Sequence, residues 1–229
     1  MEAEALTLLS PPPSGVVCPP GLPPVSVPVA SEFAASAVLV GDSPEPLVTL
    51  PAALPSRVFY DDLPLSPRGP LRLRAGVVDR LLSAADALPA PFGLTVLDGW
   101  RSNDFQSELL DYYRALFPQL GDGYVSDPDH AAIVPPHTTG AAVDLTLSWN
   151  GSPLGLGTDY DSFSDLAHPA ALETTDSDVP GRNLRRLLSS VLLDAGFAPH
   201  PLEWWHWSYG DQWWAAHEGL AVSLYGATG

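Results

Sequence analysis

Residues 135–149 read Pro-Pro-His-Thr-Thr-Gly-Ala-Ala-Val-Asp-Leu-Thr-Leu-Ser-Trp, a run that is uncharged apart from one histidine and one aspartate. From Ala142 onward, polar and apolar residues alternate with a period of two, which predicts a strand with one buried face. Asp144 lies on the polar face of that strand. His137 precedes it by a turn that Gly140 can make tight. A carboxylate and an imidazole brought together in this way suggest two metal ligands that need a third.

A second polar pair lies far along the chain, in the sequence Glu-Trp-Trp-His at residues 203–206. His206 is the candidate third ligand, and three protein ligands leave one position of a zinc ion open. Zinc lowers the pKa of bound water to about 7, and Glu203 is the candidate base for the proton. Arg101 follows the apolar run 94–97 and is the candidate cation for the scissile carbonyl. The set predicts zinc-dependent hydrolysis of a peptide or amide bond.

Each of these motifs is weak when it stands alone. A single histidine upstream of an aspartate is more often a loop residue than a ligand, and Arg101 could simply pair with Asp98. Glu203 and His206 have an odd spacing and would point to opposite faces of an ideal strand. They converge only if a bulge or a turn lies between them, or if Glu203 precedes the strand. What favours a site is that the motifs occur together.

The remaining chain predicts an α+β fold, in which helices pack on an antiparallel sheet and the zinc site lies at the sheet. Helical spacing of apolar residues indicates three helices. They occupy the second part of 71–88, the stretch after Asn103 (with Gln106 as capping-box partner) and the stretch from Asn183 to Gly196. Strands are expected at 94–97, 142–149 and 204–209, with a hairpin turn at Asn150-Gly151 and a last short helix after Asp211.

The N-terminal part of the chain differs from the rest in composition, since ten of the 26 prolines lie before residue 50. Proline removes backbone donors, so we expect this part to be extended or disordered and to form no helix. The predicted organisation is a Pro-rich segment at 1–47 and a catalytic domain at 48–229. The segment is interpreted as a dispensable extension, with a partner-binding tail as the alternative.

The net charge of −17 limits the partners of the chain. All ten basic residues are arginines, and this acidic balance argues against binding to nucleic acid or to an anionic membrane. The sequence has no run of 18 or more apolar residues, so no membrane-spanning helix is expected. The first residues lack the basic and apolar regions of a secretory signal, so a cytoplasmic location is expected.

Taken together, the motifs resemble those of the D-alanyl-D-alanine dipeptidases, the branch of the zinc D-Ala-D-Ala peptidases that includes the vancomycin-resistance dipeptidases. The family motif Ser-x-His-x-x-Gly-x-Ala-x-Asp is matched from its histidine onward at 137–144. Residues 203–206 match Glu-x-Trp-His, residues 98–101 resemble Asp-Gly-Tyr-Arg, and residues 157–161 resemble Gly-x-x-Phe-Asp. The likeness covers roughly residues 57–225.

The resemblance implies a bacterial enzyme that hydrolyses a small dipeptide with a free amino terminus, D-Ala-D-Ala or a similar one. It also implies residue roles: one Zn²⁺ bound by His137, Asp144 and His206, Glu203 as catalytic base, Arg101 as the residue that polarises the carbonyl, and Asp161 as the partner of the substrate's amino group. A carboxylate suits the last role because it pairs with an ammonium.

The chain departs from the family pattern at Pro135. The family has a serine there that helps to bind the substrate carboxylate, and proline offers neither a hydroxyl nor an N–H. Tyr60 is the candidate for the family's substrate-capping tyrosine.

Two other functions are compatible with the motifs. One is a D,D-carboxypeptidase or endopeptidase of the same superfamily that acts on peptidoglycan stems, which Asp161 disfavours. The other is a zinc-holding domain that binds peptide without turnover. The presence of both Glu203 and Arg101 disfavours that second alternative.

Overall fold

The fold combines antiparallel strands and helices, as expected of the α+β class. A computed structural model of the chain describes residues 8–26, 30–118, 125–129, 132–174 and 178–228. Within these ranges the strands are β1 (Leu47–Thr49), β2 (Arg72–Arg74), β3 (Phe92–Asp98), β4 (Ala142–Trp149), β5 (Ser152–Pro153), β6 (Ala198–Pro199) and β7 (His206–Ser208). The α-helices are α1 (Glu32–Ser36), α2 (Ala75–Asp86), α3 (Asn103–Leu116), α4 (Pro136–Thr139), α5 (Val179–Asp194) and α6 (Gln212–His217).

The main sheet is antiparallel and has the strand order β3-β4-β7-β6, with β5 paired to the far end of β4. Asp144 of β4 lies opposite Asp98 of β3 on one side and opposite His206 of β7 on the other. The register of β3 against β4 is irregular between Val96 and Asp98. Strand pairing therefore brings polar residues from distant parts of the sequence to one end of the sheet.

Strand β4 is buried along nearly its whole length. Val143, Leu145 and Leu147 enter the hydrophobic core, as the period-two pattern predicts, and meet apolar side chains of α2, α3 and α5 there. The opposite face of β4 is buried as well, and Asp144 on that face is only 2% exposed. The carboxylate is thus held away from bulk water, which makes its partners decisive for its charge state.

The turn that follows β4 is the predicted hairpin. Asn150 and Gly151 both have left-handed backbone angles, with φ values of 50° and 80°, which is the requirement of a type I′ turn. Ser152 then pairs with Trp149. The hairpin prediction is confirmed.

The three long helices lie where the apolar spacing predicts them, but both predicted caps are wrong. The N-cap of α3 is Ser102, whose Oγ accepts the N–H of Phe105, and Asn103 is already helical. The N-cap of α5 is Asp178 rather than Asn183. In each case an upstream side chain satisfies the free N–H groups of the first turn. No helix among the described residues is long and apolar enough to cross a membrane.

The Pro-rich segment packs against the rest of the chain in the part that is described. It is mostly extended, yet it contains α1, so the expectation that it forms no helix is wrong. Leu9 and Ala35 are buried, at 4% and 0% exposure. The division into 1–47 and 48–229 stays a prediction.

Gly140 supports a prediction about stability, because it ends α4 with φ of 74° and a Cβ there would overlap the side chain of Leu47. We expect Gly140→Ala to lower the free energy of unfolding by at least about 1 kcal/mol more than Gly151→Ala does. Gly151 is the matched control, since its φ is 80° but a Cβ there would meet nothing within 4 Å. Urea unfolding of both variants measures the difference, and equal losses would contradict the steric explanation.

Candidate active site

Three side chains with metal-binding atoms meet at the end of the sheet where β4 begins. His137 comes from α4, Asp144 from β4 and His206 from β7, and one ligand atom from each lies within 4.8 Å of the others. Asp144 Oδ1 is 3.0 Å from His206 Nδ1 and 3.4 Å from His137 Nε2. All three residues are buried. The structure thus brings together the residues that the sequence suggested as a ligand set.

The hydrogen bonds around this cluster suit a cation. His137 Nδ1 lies 2.8 Å from the carbonyl oxygen of Gly99 and must donate to it, which leaves the lone pair of Nε2 facing Asp144. Asp144 Oδ1 is buried and accepts no hydrogen bond from any described residue. An unsatisfied carboxylate oxygen between two imidazoles is costly unless a positive charge lies beside it. The residues present therefore fit a divalent metal ion.

The charge states of two of these residues, Asp144 and His137, also favour metal binding. Burial alone would raise the pKa of Asp144, but the adjacent His137 and His206 hold that pKa well below its usual range. Burial, reinforced by Arg101, lowers the pKa of His137. An ionised carboxylate and a neutral imidazole are the forms that bind metal.

Glu203 lies beside the cluster because it precedes β7 instead of forming part of it. The N–H of His206 contacts the carbonyl oxygen of Glu203 at 3.4 Å, so a turn separates the two residues. Glu203 Oε2 is consequently 3.8 Å from His206 Nδ1. The odd spacing that would separate them on an ideal strand is resolved by this turn. Burial raises the pKa of Glu203 well above its usual range, and Asp144 and Asp161 raise it further.

The guanidinium of Arg101 is held on several sides. Its Nε donates to Asp98 Oδ2 at 2.7 Å and its Nη1 to Gln106 Oε1 at 3.0 Å. Its Nη2 donates to the Tyr60 hydroxyl at 3.3 Å and lies 3.6 Å from Asp144 Oδ2. Arg101 therefore pairs with Asp98, as the simpler interpretation proposed, and it also faces the candidate metal ligands.

Asp161 lines the same cleft and accepts hydrogen bonds from two phenols. Tyr60 donates to Asp161 Oδ2 at 3.0 Å, and Tyr113 donates to the same oxygen. The backbone of Asp161 is left-handed, with φ of 54°, a conformation that is uncommon for a non-glycine residue and often found at functional sites. Burial raises the pKa of this carboxyl to about 7.

One cleft unites these groups, and all six residues that the sequence suggested for the site line it. They are His137, Asp144, His206, Glu203, Arg101 and Asp161, and Tyr60 and Pro135 lie in the same lining. Their roles stay predictions.

Several residues of the cleft were missed or misassigned from the sequence. Gln106 was interpreted as a capping residue, yet it lines the cleft, and so does Tyr113, which no motif singles out. Tyr160 donates to Asp144 Oδ2 at 2.8 Å. His200 belongs to none of the predicted motifs and packs its ring 5.0 Å from that of His206. Another histidine outside these motifs, His130, is not among the described residues.

Comparison with known proteins identifies the family. The Peptidase_M15 family model, which represents D-Ala-D-Ala dipeptidases, matches residues 82–221, more than half of the chain. The chain belongs to the D-Ala-D-Ala dipeptidase family. Membership in this family makes it a metallopeptidase, and the resemblance inferred from the motifs is confirmed at that level.

Individual relatives align with more than half of this chain. A D-alanyl-D-alanine dipeptidase of Synechocystis sp. is 32% identical in an alignment 181 residues long, and the alignment covers 65% of this chain and 73% of the relative. One of Enterococcus faecium is 24% identical in an alignment 148 residues long, with coverage of 59% of this chain and 72% of the relative. The solved LD-carboxypeptidase LdcB aligns with a TM-score of 0.43 and 19% identity, covering 79% of this chain and 76% of that chain.

The pairing around Asp98 generates a prediction about stability. Asp98 is fully buried and accepts Arg101 at 2.7 Å and Arg68 at 2.5 Å. We expect Asp98→Asn to lower the free energy of unfolding by about 3–5 kcal/mol, since it removes the carboxylate that two largely buried cations share. Urea unfolding at neutral pH measures this loss.

The same pair has a defined pH dependence. Burial opposes ionisation of Asp98, but Arg101 and Arg68 lower its pKa below the ordinary value of 3.8. The stabilisation is therefore complete above about pH 4 and is lost as the pH falls through the lowered pKa. The difference in free energy of unfolding between wild type and Asp98→Asn should shrink only below about pH 4. Equal unfolding free energies already at pH 5 would contradict this account.

Proposed function

We propose that this chain hydrolyses small dipeptides with a free amino terminus, and that it uses one Zn²⁺ bound by His137, Asp144 and His206. The observation that carries the proposal is the convergence of these three ligands with Glu203 and Arg101 in one cleft. Because the relatives are D-Ala-D-Ala dipeptidases, D-Ala-D-Ala or a close analogue is the proposed substrate.

The chemistry divides among the side chains as follows. When bound, zinc supplies the Lewis acidity that activates a water molecule and polarises a carbonyl. Glu203 takes the proton of the attacking water and gives it to the departing amine, a task that its raised pKa favours. Arg101 is a permanent cation beside Asp144, and it stabilises the negative charge that develops on the carbonyl oxygen.

Asp161, which lines the same cleft, binds the substrate's amino group. Both phenols donate to Asp161 Oδ2, so its Oδ1 remains the oxygen to pair with an ammonium. Tyr60 also contacts Arg101 and thereby links the amine site to the carbonyl site. This arrangement favours substrates with a free N-terminus over long peptidoglycan stems, whose corresponding nitrogen is an amide and carries no charge.

Replacement of Glu203 separates catalysis from metal binding. We expect Glu203→Gln to retain bound zinc and to lose about 10²–10⁴-fold in kcat on D-Ala-D-Ala, since the proton transfer loses its base. Metal analysis and steady-state kinetics on the same preparation measure both quantities.

The control for this experiment is His206→Ala, which should lose both zinc and activity. His200→Ala removes a neighbouring buried imidazole that is not in the proposed ligand set, and it should retain the metal. A fully active Glu203→Gln would remove Glu203 from the mechanism, and unchanged zinc in His206→Ala would remove His206 from the ligand set.

Asp161 generates a prediction about pH and substrate choice. Because its pKa is about 7, the carboxyl is protonated below that pH and cannot pair with an ammonium. We expect KM for D-Ala-D-Ala to fall several-fold from about pH 6 to about pH 7.5 as Asp161 ionises, and Asp161→Asn to show a high KM without this pH dependence. Steady-state kinetics across this range measure the effect.

An N-acetylated dipeptide is the matched control substrate, because it carries no ammonium. Its cleavage should be poor at every pH. Cleavage of the blocked dipeptide as fast as the free one would remove Asp161 as the amine partner, and would favour the carboxypeptidase alternative.

A further inference from the structure

The N-terminal segment contacts the loop that carries Asp161. The backbone N–H groups of Leu8 and Leu9 donate to the two carboxylate oxygens of Asp159, at 2.7 and 3.0 Å. Asp159 Oδ1 also accepts the N–H of Tyr160 at 2.9 Å. Three N–H groups thus converge on one carboxylate, and two of them come from about 150 residues earlier in the chain.

The contact continues along the segment. Ser10 forms a parallel bridge with Leu154 and accepts the N–H of Gly155 at 2.8 Å. Leu9 is 4% exposed and belongs to the main hydrophobic core. Residues 8–10 therefore add an extended strip beside the hairpin that β4 and β5 form, and this strip is built into the core.

The loop beyond this strip leads directly into the cleft. Three consecutive residues have three different partners: Asp159 binds the strip, Tyr160 donates to Asp144 Oδ2 at 2.8 Å, and Asp161 accepts the phenols. The left-handed backbone of Asp161 requires support from its surroundings, because such a conformation is strained for a residue with a Cβ. Asp159, two residues before Asp161, supplies the hydrogen bonds to the N-terminal strip.

We propose that Asp159, held by the backbone N–H groups of Leu8 and Leu9, is a positioning residue that sets the place of Asp161 in the cleft. The N-terminal segment is then part of the substrate site and not a dispensable extension. Charge-assisted hydrogen bonds to backbone N–H groups are strong and directional, which suits them to this role. The proposal rests on the proposed function, because Asp161 is its amine-binding residue.

The first test compares Asp159→Ala with wild type on D-Ala-D-Ala. We expect KM to rise about tenfold, a change of about 1.4 kcal/mol, while kcat and bound zinc change little. Asp159→Asn keeps one acceptor oxygen and should show a smaller rise. The matched control is Asp165→Asn, which removes an exposed carboxylate farther along the same loop and should behave as wild type.

A double-mutant cycle shows whether Asp159 acts through Asp161. In an Asp161→Asn background, Asp159→Ala should add little further increase in KM, because the group that it positions is already lost. A full additional increase would place the effect of Asp159 elsewhere and overturn the proposal. If wild type itself cleaves no free-amino dipeptide, the proposed function fails. If wild type is active and Asp159→Ala has the same KM as wild type, only the positioning role fails.

A measurement independent of activity completes the test. Hydrogen exchange of the Leu8 and Leu9 amides should be slow in wild type and in Asp165→Asn, and at least about tenfold faster in Asp159→Ala. Thermal unfolding of each variant shows whether it is folded. Fast exchange of these amides in the folded wild-type protein would contradict the docking of the strip on Asp159.

Discussion

The pairing of β4 with its two neighbours is the constraint on which the site depends. Asp144 lies opposite Asp98 on one side and His206 on the other, so the two ladders of backbone hydrogen bonds set how far the carboxylate lies from both. If β4 slipped by one residue against its neighbours, Asp144 would turn towards the core, and Val143 or Leu145 would enter the cleft. The apolar face of β4 opposes such a shift, because it would expose three buried side chains to a polar environment. The hydrophobic pattern of one strand thus determines the position of a charged group.

The buried charged groups at and beside the cleft are stabilised because each lies next to a group of opposite charge. Two arginines enclose Asp98, and Arg101 in turn faces Asp144. Burial opposes ionisation of each carboxylate. Arg101 and Arg68 nevertheless lower the pKa of Asp98, and His137 and His206 lower that of Asp144. Glu203 and Asp161 have no comparable cation in hydrogen-bond contact among the described residues, and burial raises the pKa of both. One environment therefore keeps two carboxyls ionised and makes the other two better proton acceptors, a division of labour that acid–base chemistry needs.

The sequence predicted the strand β4, the hairpin after it, the long helices and six of the residues that line the cleft, because each leaves a local pattern or belongs to a family motif. It could not predict which residues from distant elements complete the site. Gln106 has the spacing of a capping partner for Asn103. In the structure, the N-cap is instead Ser102, one residue earlier, and Gln106 accepts a hydrogen bond from Arg101. The convergence of Glu203 and His206 depends on where a strand begins, and strand boundaries are poorly defined by composition. The contact of Leu8 and Leu9 with Asp159 uses backbone N–H groups, which every residue except proline possesses, so no side-chain pattern announces it.

The peptide segment 99–101 touches His137 at two points. The carbonyl oxygen of Gly99 accepts a hydrogen bond from Nδ1–H of His137, and the backbone N–H of Arg101 donates to the carbonyl oxygen of His137 at 3.2 Å. The imidazole ring and the backbone of Arg101 are therefore joined through residues 99–101. Reciprocity applies to this connection: if a metal ion at the proposed site changes the affinity for substrate through this segment, bound substrate changes the affinity for the metal ion by the same factor.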